Sequence, residues 1–170
     1  MADVAETIEE SGRRIGHHAW VEARLFEIVG RWAGTVAEPR SQALFARQSA
    51  HHGWHVELWH GLLPALPHLA ATQLVASEGA DAERVATLAA LDEPDGSGSA
   101  AGVTTRLITL YRQTLPSLLA TYDDHLAHTS PVADGPTIRV LLLVRTDLVE
   151  DMAAGEALIE ALGSRPAATA

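Results

Sequence analysis

The chain has 170 residues, of which 47% are hydrophobic and only 5% aromatic, as expected for one domain that packs its core with aliphatic side chains. It contains no cysteine, which excludes disulfides, thiolate metal sites and a cysteine nucleophile. The formal net charge of −10 argues against a nucleic-acid-binding surface, since phosphate binding needs clustered positive charge.

Targeting and membrane signals are missing from the sequence. The N-terminal sequence MADVAETIEE is acidic and polar, unlike a signal peptide. The longest apolar stretch, from Val140 to Val144, is far too short to span a bilayer. We therefore expect a cytoplasmic protein. Every basic residue apart from histidine is arginine, which is typical of GC-rich bacterial genomes such as those of actinobacteria.

The first predicted helix runs from Val4 to Gly34. Its inward side recurs every three or four residues, the period of an amphipathic helix. The inward positions are Ile15, His18, Glu22, Leu25, Val29 and Trp32. Glu22 lies in the middle of this apolar row, so we expect it to be buried and to have a partner.

The second predicted helix begins at Pro39, a favourable first-turn residue, and ends near Leu63, before Pro64 and Pro67. Its predicted inward row also has helical spacing. That row comprises Leu44, Gln48, His51, His55, Leu58 and Leu62. Because His51 and His55 are four residues apart, both imidazoles can point to one spot.

A long connection from Pro64 to Gly102 follows, with one short predicted helix from Asp81 to Leu91. The third long helix is predicted from Val103 to Thr129, with a kink at Pro116.

The fourth predicted helix, from Pro136 to Leu162, follows a short link. The domain is predicted to cover residues 1–163 and to be followed by a disordered tail, residues 164–170.

The lengths of the links predict the topology. Short links join helices one to two and three to four, so each pair should form an antiparallel hairpin. One long crossover joins the hairpins, which predicts an all-α, ferritin-like four-helix bundle. An irregular helical domain is the alternative. Counting outward from the first link places Glu22 and His51 at the same height.

Two segments also resemble a known family. HHGWHVELWHGLLP and SPVADGPTIRVLLLVRTDLVEDMAAGEALI are similar to a bacterial ferritin-like group related to the tRNA-hydroxylase branch, and the similarity extends from Trp20 to Leu162. The resemblance implies a di-iron site with a glutamate on helix one and Glu-x-x-His motifs on helices two and four.

The ligands that this family uses are only partly present. Glu22 matches the carboxylate of helix one, whereas helix two offers Gln48 and His51 in place of Glu-x-x-His. No carboxylate occurs between Leu118 and Thr121 on helix three. Helix four keeps Asp147, but Leu148 and Asp151 stand where the bridging glutamate and the histidine are expected. The resemblance therefore implies a degenerate site with too few carboxylates for two iron ions.

Three functional hypotheses follow. The first is a small-molecule enzyme, of bacterial specialised metabolism, that needs no cofactor and uses Glu22, His51 and His55 as acid–base residues in a pocket between helices one, two and four. The second is a non-haem iron oxygenase with a single iron or other divalent metal. The third is a non-catalytic protein that binds a small molecule or a partner. Candidate metal ligands are Glu22, His51, His55, Asp147 and Asp151, and candidate ligand-binding residues are His18, Gln48, His52, Tyr111, Tyr122 and Arg145.

Further groups have simpler expected roles. Arg145 is expected to pair with acids of helix one or to clamp an anionic ligand. A solvated face near the end of helix three is expected from Asp123, Asp124, His125 and His128. The four tryptophans, Trp20, Trp32, Trp54 and Trp59, all lie on the first hairpin and give it the bulk for a homodimer interface, with core packing as the alternative.

Overall fold

A computed structural model of the protein describes residues 6–65, 79–92 and 99–164. All regular secondary structure in these three ranges is helical, which confirms the predicted all-α class. None of the helices in them has the length and apolar character needed to cross a membrane.

The first two helices form the first hairpin. Helix α1 is Ile8–Thr35, and α2 is Pro39–His60. The predicted start of α1 at Val4 is wrong because Thr7 caps the helix: its hydroxyl accepts from the Glu10 amide, and the Glu10 carboxylate accepts from the Thr7 amide. The prediction of Pro39 in the first turn of α2 is confirmed.

The third long helical run is continuous but changes its winding. Helix α4 (Ala100–Ile108), a π-helical segment (Thr109–Thr114) and α5 (Leu115–Ala127) follow one another without a break. The π-helical segment ends two residues before Pro116, the residue at which the sequence predicted a kink. Pro116 lacks an N–H and crowds the carbonyl one turn earlier, and a wider turn relieves both problems.

The remaining helices are α3 (Ala80–Ala90), which lies in the long connection, and α6 (Gly135–Gly163). The described residues therefore contain five continuous helical runs, one more than a bundle of four. The predicted crossover is only partly described, and the predicted tail, apart from Ser164, lies outside the described residues.

Contacts between the long runs show that neighbouring helices are antiparallel, since a rising residue number on one meets a falling number on the other. In the first hairpin they join Glu22 to His52 and Phe26 to Ser49, and in the second they join Asp123 to Arg145 and Arg112 to Glu156. Between the hairpins, α1 meets α5 through the contacts of His18 with His125 and of Glu22 with Tyr122. Helix α2 meets α6 through the contacts of His51 with Asp151 and of His55 with Asp147.

The core contains the predicted inward row of α1, every member of which is buried. On α2 the buried row is displaced by one residue from the prediction. It contains Phe45, Gln48, His52, His55 and Trp59, while the predicted Leu44, His51, Leu58 and Leu62 are only partly buried. Both rows have helical spacing, and burying the larger Phe45 and Trp59 removes more apolar surface from water.

The tryptophans divide between the core and the surface. Trp32 and Trp59 are fully buried, Trp20 is partly buried, and Trp54 is exposed. Core packing is therefore the role of two of the four, and Trp54 is available at the surface.

Gly155 allows α6 to approach the π-helical segment. A Cβ atom at this position would overlap the ring of Tyr111 near its attachment to the backbone, so the ring could not move away cheaply. At Gly34, on α1, a Cβ atom would meet no other atom.

We predict that Gly155→Ala destabilises the protein by about 1 to 3 kcal/mol, the usual cost of overpacking a core. The matched variant Gly34→Ala should be neutral or stabilising by up to about 1 kcal/mol, because alanine favours helix. Urea denaturation of both variants measures the difference. Equal stability of the two would contradict this close helix contact.

Candidate functional site

A carboxylate with no exposure to solvent lies at the centre of the candidate site. Glu22 on α1 accepts three hydrogen bonds: its Oε2 atom contacts His52 Nδ1 at 2.5 Å, and its Oε1 atom contacts His55 Nδ1 at 3.2 Å and the Tyr122 hydroxyl at 2.5 Å. Three donors from α2 and α5 therefore replace the water that Glu22 loses on burial. We call Glu22, His52, His55, Tyr122 and Asp147 the Glu22 network.

Asp147 connects this network to the surface. The second ring nitrogen of His55, Nε2, lies 3.1 Å from Asp147 Oδ2, and the Asp147 side chain is 21% exposed. Burial alone would lower the pKa of His55, but the two flanking carboxylates, Glu22 and Asp147, outweigh it and raise the pKa to about 9. His55 is therefore protonated at neutral pH and donates to both carboxylates.

Glu22 is the negatively charged partner of protonated His55. Burial alone would raise its pKa, but the charge and hydrogen bonds of His52 and His55 hold the pKa well below its ordinary value. Burial, followed by the Glu22 charge, raises the pKa of Tyr122, which therefore remains a hydrogen-bond donor. Glu22 thus fixes the positions of its donors at neutral pH and is a weak base.

Gln48 fixes the orientation of His52. The Gln48 amide lies 3.1 Å from His52 Nε2 and so holds the ring with Nδ1 facing Glu22. His51, which the sequence placed opposite Glu22, lies elsewhere because the helix presents His52 at that height instead.

His51 belongs to a second polar group, between α2 and α6. Its Nδ1 atom lies 2.8 Å from Oδ2 of the buried Asp151, whose other oxygen accepts from Arg47 at 3.3 Å. The side chains of His51 and Arg47 are 30% and 50% exposed, respectively. Since Asp147 is one turn from Asp151, this α2–α6 seam presents a row of partly exposed polar side chains that continues inward to Glu22.

The contacts of His51, Arg47 and Asp151 join α2 to α6 along this seam. A cavity of about 670 Å³ lies between α1 and α5, with His18 and His125 in its wall. His18 Nε2 lies 2.9 Å from His125 Nδ1. Burial is the main cause that lowers the pKa of both, that of His125 to about 4, so both are neutral at pH 7.

The remaining predicted ligand-binding residues lie outside both groups. The Tyr111 hydroxyl is buried, and no hydrogen-bond partner for it exists among the described residues. Arg145 pairs with Asp123 and lines a smaller cavity of about 310 Å³ between α5 and α6. The expected pairing of Arg145 with acids of helix one is therefore wrong.

Two buried polar positions were missed by the sequence analysis. His125 was expected on a solvated face, but it is buried against His18. The spacing of Leu115, Leu118, Tyr122 and His125 is three or four residues throughout and would have placed it inward. Arg106 is also buried; its guanidinium stacks 5.1 Å from the Trp32 ring centre and donates to the Leu91 carbonyl. The spacing of apolar residues did not predict the burial of Arg106, because an arginine is normally expected at the surface.

A metal ion could be held by part of the Glu22 network. One ligand atom each from Glu22, His52 and His55 lies within 4.8 Å of the other two, and all three residues are buried. One carboxylate and two imidazoles suit zinc or non-haem iron. Of the predicted metal ligands, Asp147 is in contact with His55 on its far side, and His51 and Asp151 are paired with each other.

Comparison with known proteins adds no family to this description. No protein-family model, curated protein or solved structure matches the chain.

The two buried tyrosines provide a matched test of the network. Tyr122→Phe removes a donor from an ionised, buried carboxylate and should destabilise the protein by about 1.5 to 3 kcal/mol. Tyr111→Phe removes a hydroxyl that has no partner in the described part of the chain, so stability should be unchanged or slightly higher. Urea denaturation at pH 7 compares the two. Equal losses would mean that the contact between Tyr122 and Glu22 contributes nothing.

Proposed function

We propose that this chain is a small-molecule enzyme on a ferritin-like four-helix bundle whose di-iron centre is degenerate. The antiparallel pairing of four long helical runs, with the one long connection between α2 and α4, supports that scaffold. The positions that would complete a di-iron site hold other groups: Leu148 is an apolar core residue, and Asp151 already pairs with His51.

The observation that carries the proposal is a continuous hydrogen-bonded chain from the surface to the buried carboxylate. It runs from the partly exposed Asp147 through protonated His55 to Glu22 and Tyr122. Burying charges costs several kcal/mol per ion before pairing, and an apolar core of the same volume would often be as stable. Strongly shifted pKa values maintained in a buried chain of this kind are typical of proton-transferring sites.

The roles in this proposal follow from exposure and charge. Asp147 and His51, both partly exposed at the α2–α6 seam, meet the substrate and exchange protons with it. His55 supplies a proton to Asp147 or stabilises its charge. Glu22 is a positioning residue, because its low pKa makes it a poor base but a strong partner for protonated His55.

Activity can be tested on a mixture of candidate substrates. We would incubate the purified protein with a small-molecule extract of bacterial cells and follow consumption of its components by mass spectrometry. We expect at least one compound to be converted, and Glu22→Gln to slow its conversion by about a hundredfold to ten-thousandfold. Asp147→Asn should slow it comparably, and the double variant should lose little more, since residues acting as a unit are not additive.

The control is Glu27→Gln, which changes an exposed glutamate on the same helix and should leave the rate unchanged. Circular dichroism verifies that each variant is folded. If a folded wild-type protein converts nothing but retains a compound through dialysis, the chain is a non-catalytic binding protein. Unchanged rates in Asp147→Asn would remove the α2–α6 seam from the proposal.

A metal-dependent function is the second candidate, and the geometry of Glu22, His52 and His55 favours it specifically. His52 and His55 each face Glu22 with the Nδ1 atom. The Nε2 atom of His52 contacts Gln48, and that of His55 contacts Asp147. Outer partners of this kind orient metal-binding histidines. The set would hold one divalent ion, which would supply Lewis-acid or redox chemistry.

Metal binding has a definite pH dependence in this site. A metal ion must displace the Nδ1 protons of His52 and His55, and the pKa of His55 is raised to about 9. Cobalt(II) titration, followed by visible absorption, should therefore give one equivalent bound with an affinity that increases from pH 6 to pH 9. His52→Ala should weaken binding at least about tenfold, whereas His51→Ala, one residue away but outside the set, should not. Equal effects of the two substitutions, or no saturable binding, would exclude this site.

A further inference from the structure

The cavity between α1 and α5 has no role in the function proposed above. Its volume of about 670 Å³ lies within the range of pockets that hold small organic molecules. The residues that line it are Glu6, Glu10, Arg13, Arg14, His17, His18, Thr121, Asp124 and His125. The groups in this wall that have no partner indicate the class of ligand that the cavity can bind.

Most charged groups around the cavity are already partnered. Glu10 accepts from the amide and hydroxyl of Thr7 in the cap of α1, and Glu6 pairs with Arg14. His17 pairs with Asp81 at 2.6 Å. Asp124 lies 3.6 Å from His128 at the exposed end of α5.

Arg13 is the exception among these charges. It lines the cavity at an exposed position, and no carboxylate of the described residues lies within salt-bridge distance of it; Glu10, whose pKa its charge helps to lower, already accepts from Thr7. A guanidinium in a cavity is best complemented by a planar oxyanion.

The inner wall of the cavity provides an uncharged donor. His18 Nδ1 is buried without a hydrogen-bond partner in the described part of the chain. A buried N–H without an acceptor is rarer and costlier than an unused lone pair, so the proton of His18 lies on Nε2 and is donated to His125 Nδ1. The remaining proton of His125 therefore lies on Nε2, which makes no hydrogen bond with any described residue. The wall thus presents an N–H group from a neutral imidazole.

We propose that this cavity binds a small organic molecule through its carboxylate group, which accepts from His125 Nε2–H and is neutralised by Arg13. The neutral dyad of His18 and His125 supplies direction, and the arginine supplies charge. Thr121 adds a hydroxyl to the same wall, although that hydroxyl also donates to the Ser117 carbonyl. Binding here does not require the Glu22 network to be catalytic.

The test uses the full chain with ¹⁵N-labelled histidine and follows imidazole resonances by NMR. Acetate, succinate and benzoate are the carboxylate probes, and methyl benzoate and inorganic phosphate are the comparison compounds. We expect at least one carboxylate to shift the His125 and His18 resonances saturably while the exposed His60 on α2 does not respond. Methyl benzoate should cause no shift, and phosphate should bind at least about tenfold more weakly than the best carboxylate.

Two arginine variants test whether Arg13 supplies the positive charge that neutralises the bound carboxylate. Arg13→Gln should weaken carboxylate binding about tenfold, because it removes a charge-assisted contact. Arg24→Gln, farther along α1 and paired with Glu27 at the surface, should leave the affinity unchanged. Equal weakening by both variants, equal binding of ester and acid, binding of phosphate as tight as that of the best carboxylate, or no response of His125 to any carboxylate would overturn the proposal.

Discussion

The architecture depends on satisfying one buried carboxylate. Glu22 has no contact with solvent, and an unpaired charge in such a place would cost far more than a small domain can tolerate. Its donors come from different elements: His52 and His55 from α2, and Tyr122 from α5, while Asp147 from α6 holds the far side of His55. All four long helical runs therefore meet in the contacts of Glu22 and of its partner His55, which makes the relative heights of the helices sensitive to any change at Glu22.

This constraint also explains why His52 rather than His51 faces Glu22. Helix α2 has two rows of side chains with helical spacing, which share Gln48 and His55. The row that contains Phe45 and Trp59 is the buried one, because these two side chains remove the larger apolar area from water. Burial of that row turns His51 toward α6, where Asp151 accepts a hydrogen bond from its Nδ1 atom. Aliphatic and aromatic packing thus determines which histidine becomes the partner of the carboxylate, and the polar contacts follow from that choice.

Sequence periodicity was sufficient for the helices and for the burial of Glu22, because a row spaced by three and four residues leaves little freedom on α1. It could not choose between the two rows of α2, which are equally periodic and differ only in the size of their side chains. His125 was missed because its neighbours Asp123 and Asp124 are polar, although its spacing from Tyr122 and Leu118 points inward. The contacts of Asp147 and Tyr122 depend on the relative height of distant helices, which short-range patterns do not encode.

Buried histidines in one core have opposite charge states, and their neighbours explain the difference between His55 and the pair of His18 and His125. His55 lies between two carboxylates, which outweigh its burial and raise its pKa to about 9. His18 and His125 are also buried, but their polar contact is with each other, and Arg14 adds positive charge nearby; burial then dominates and lowers the pKa of His125 to about 4. A protonated imidazole therefore faces α6 and neutral imidazoles face the cavity at the same pH. The proton exchange proposed above would use the protonated imidazole on the α2–α6 side, and the proposed carboxylate recognition would use the neutral imidazoles on the α1–α5 side.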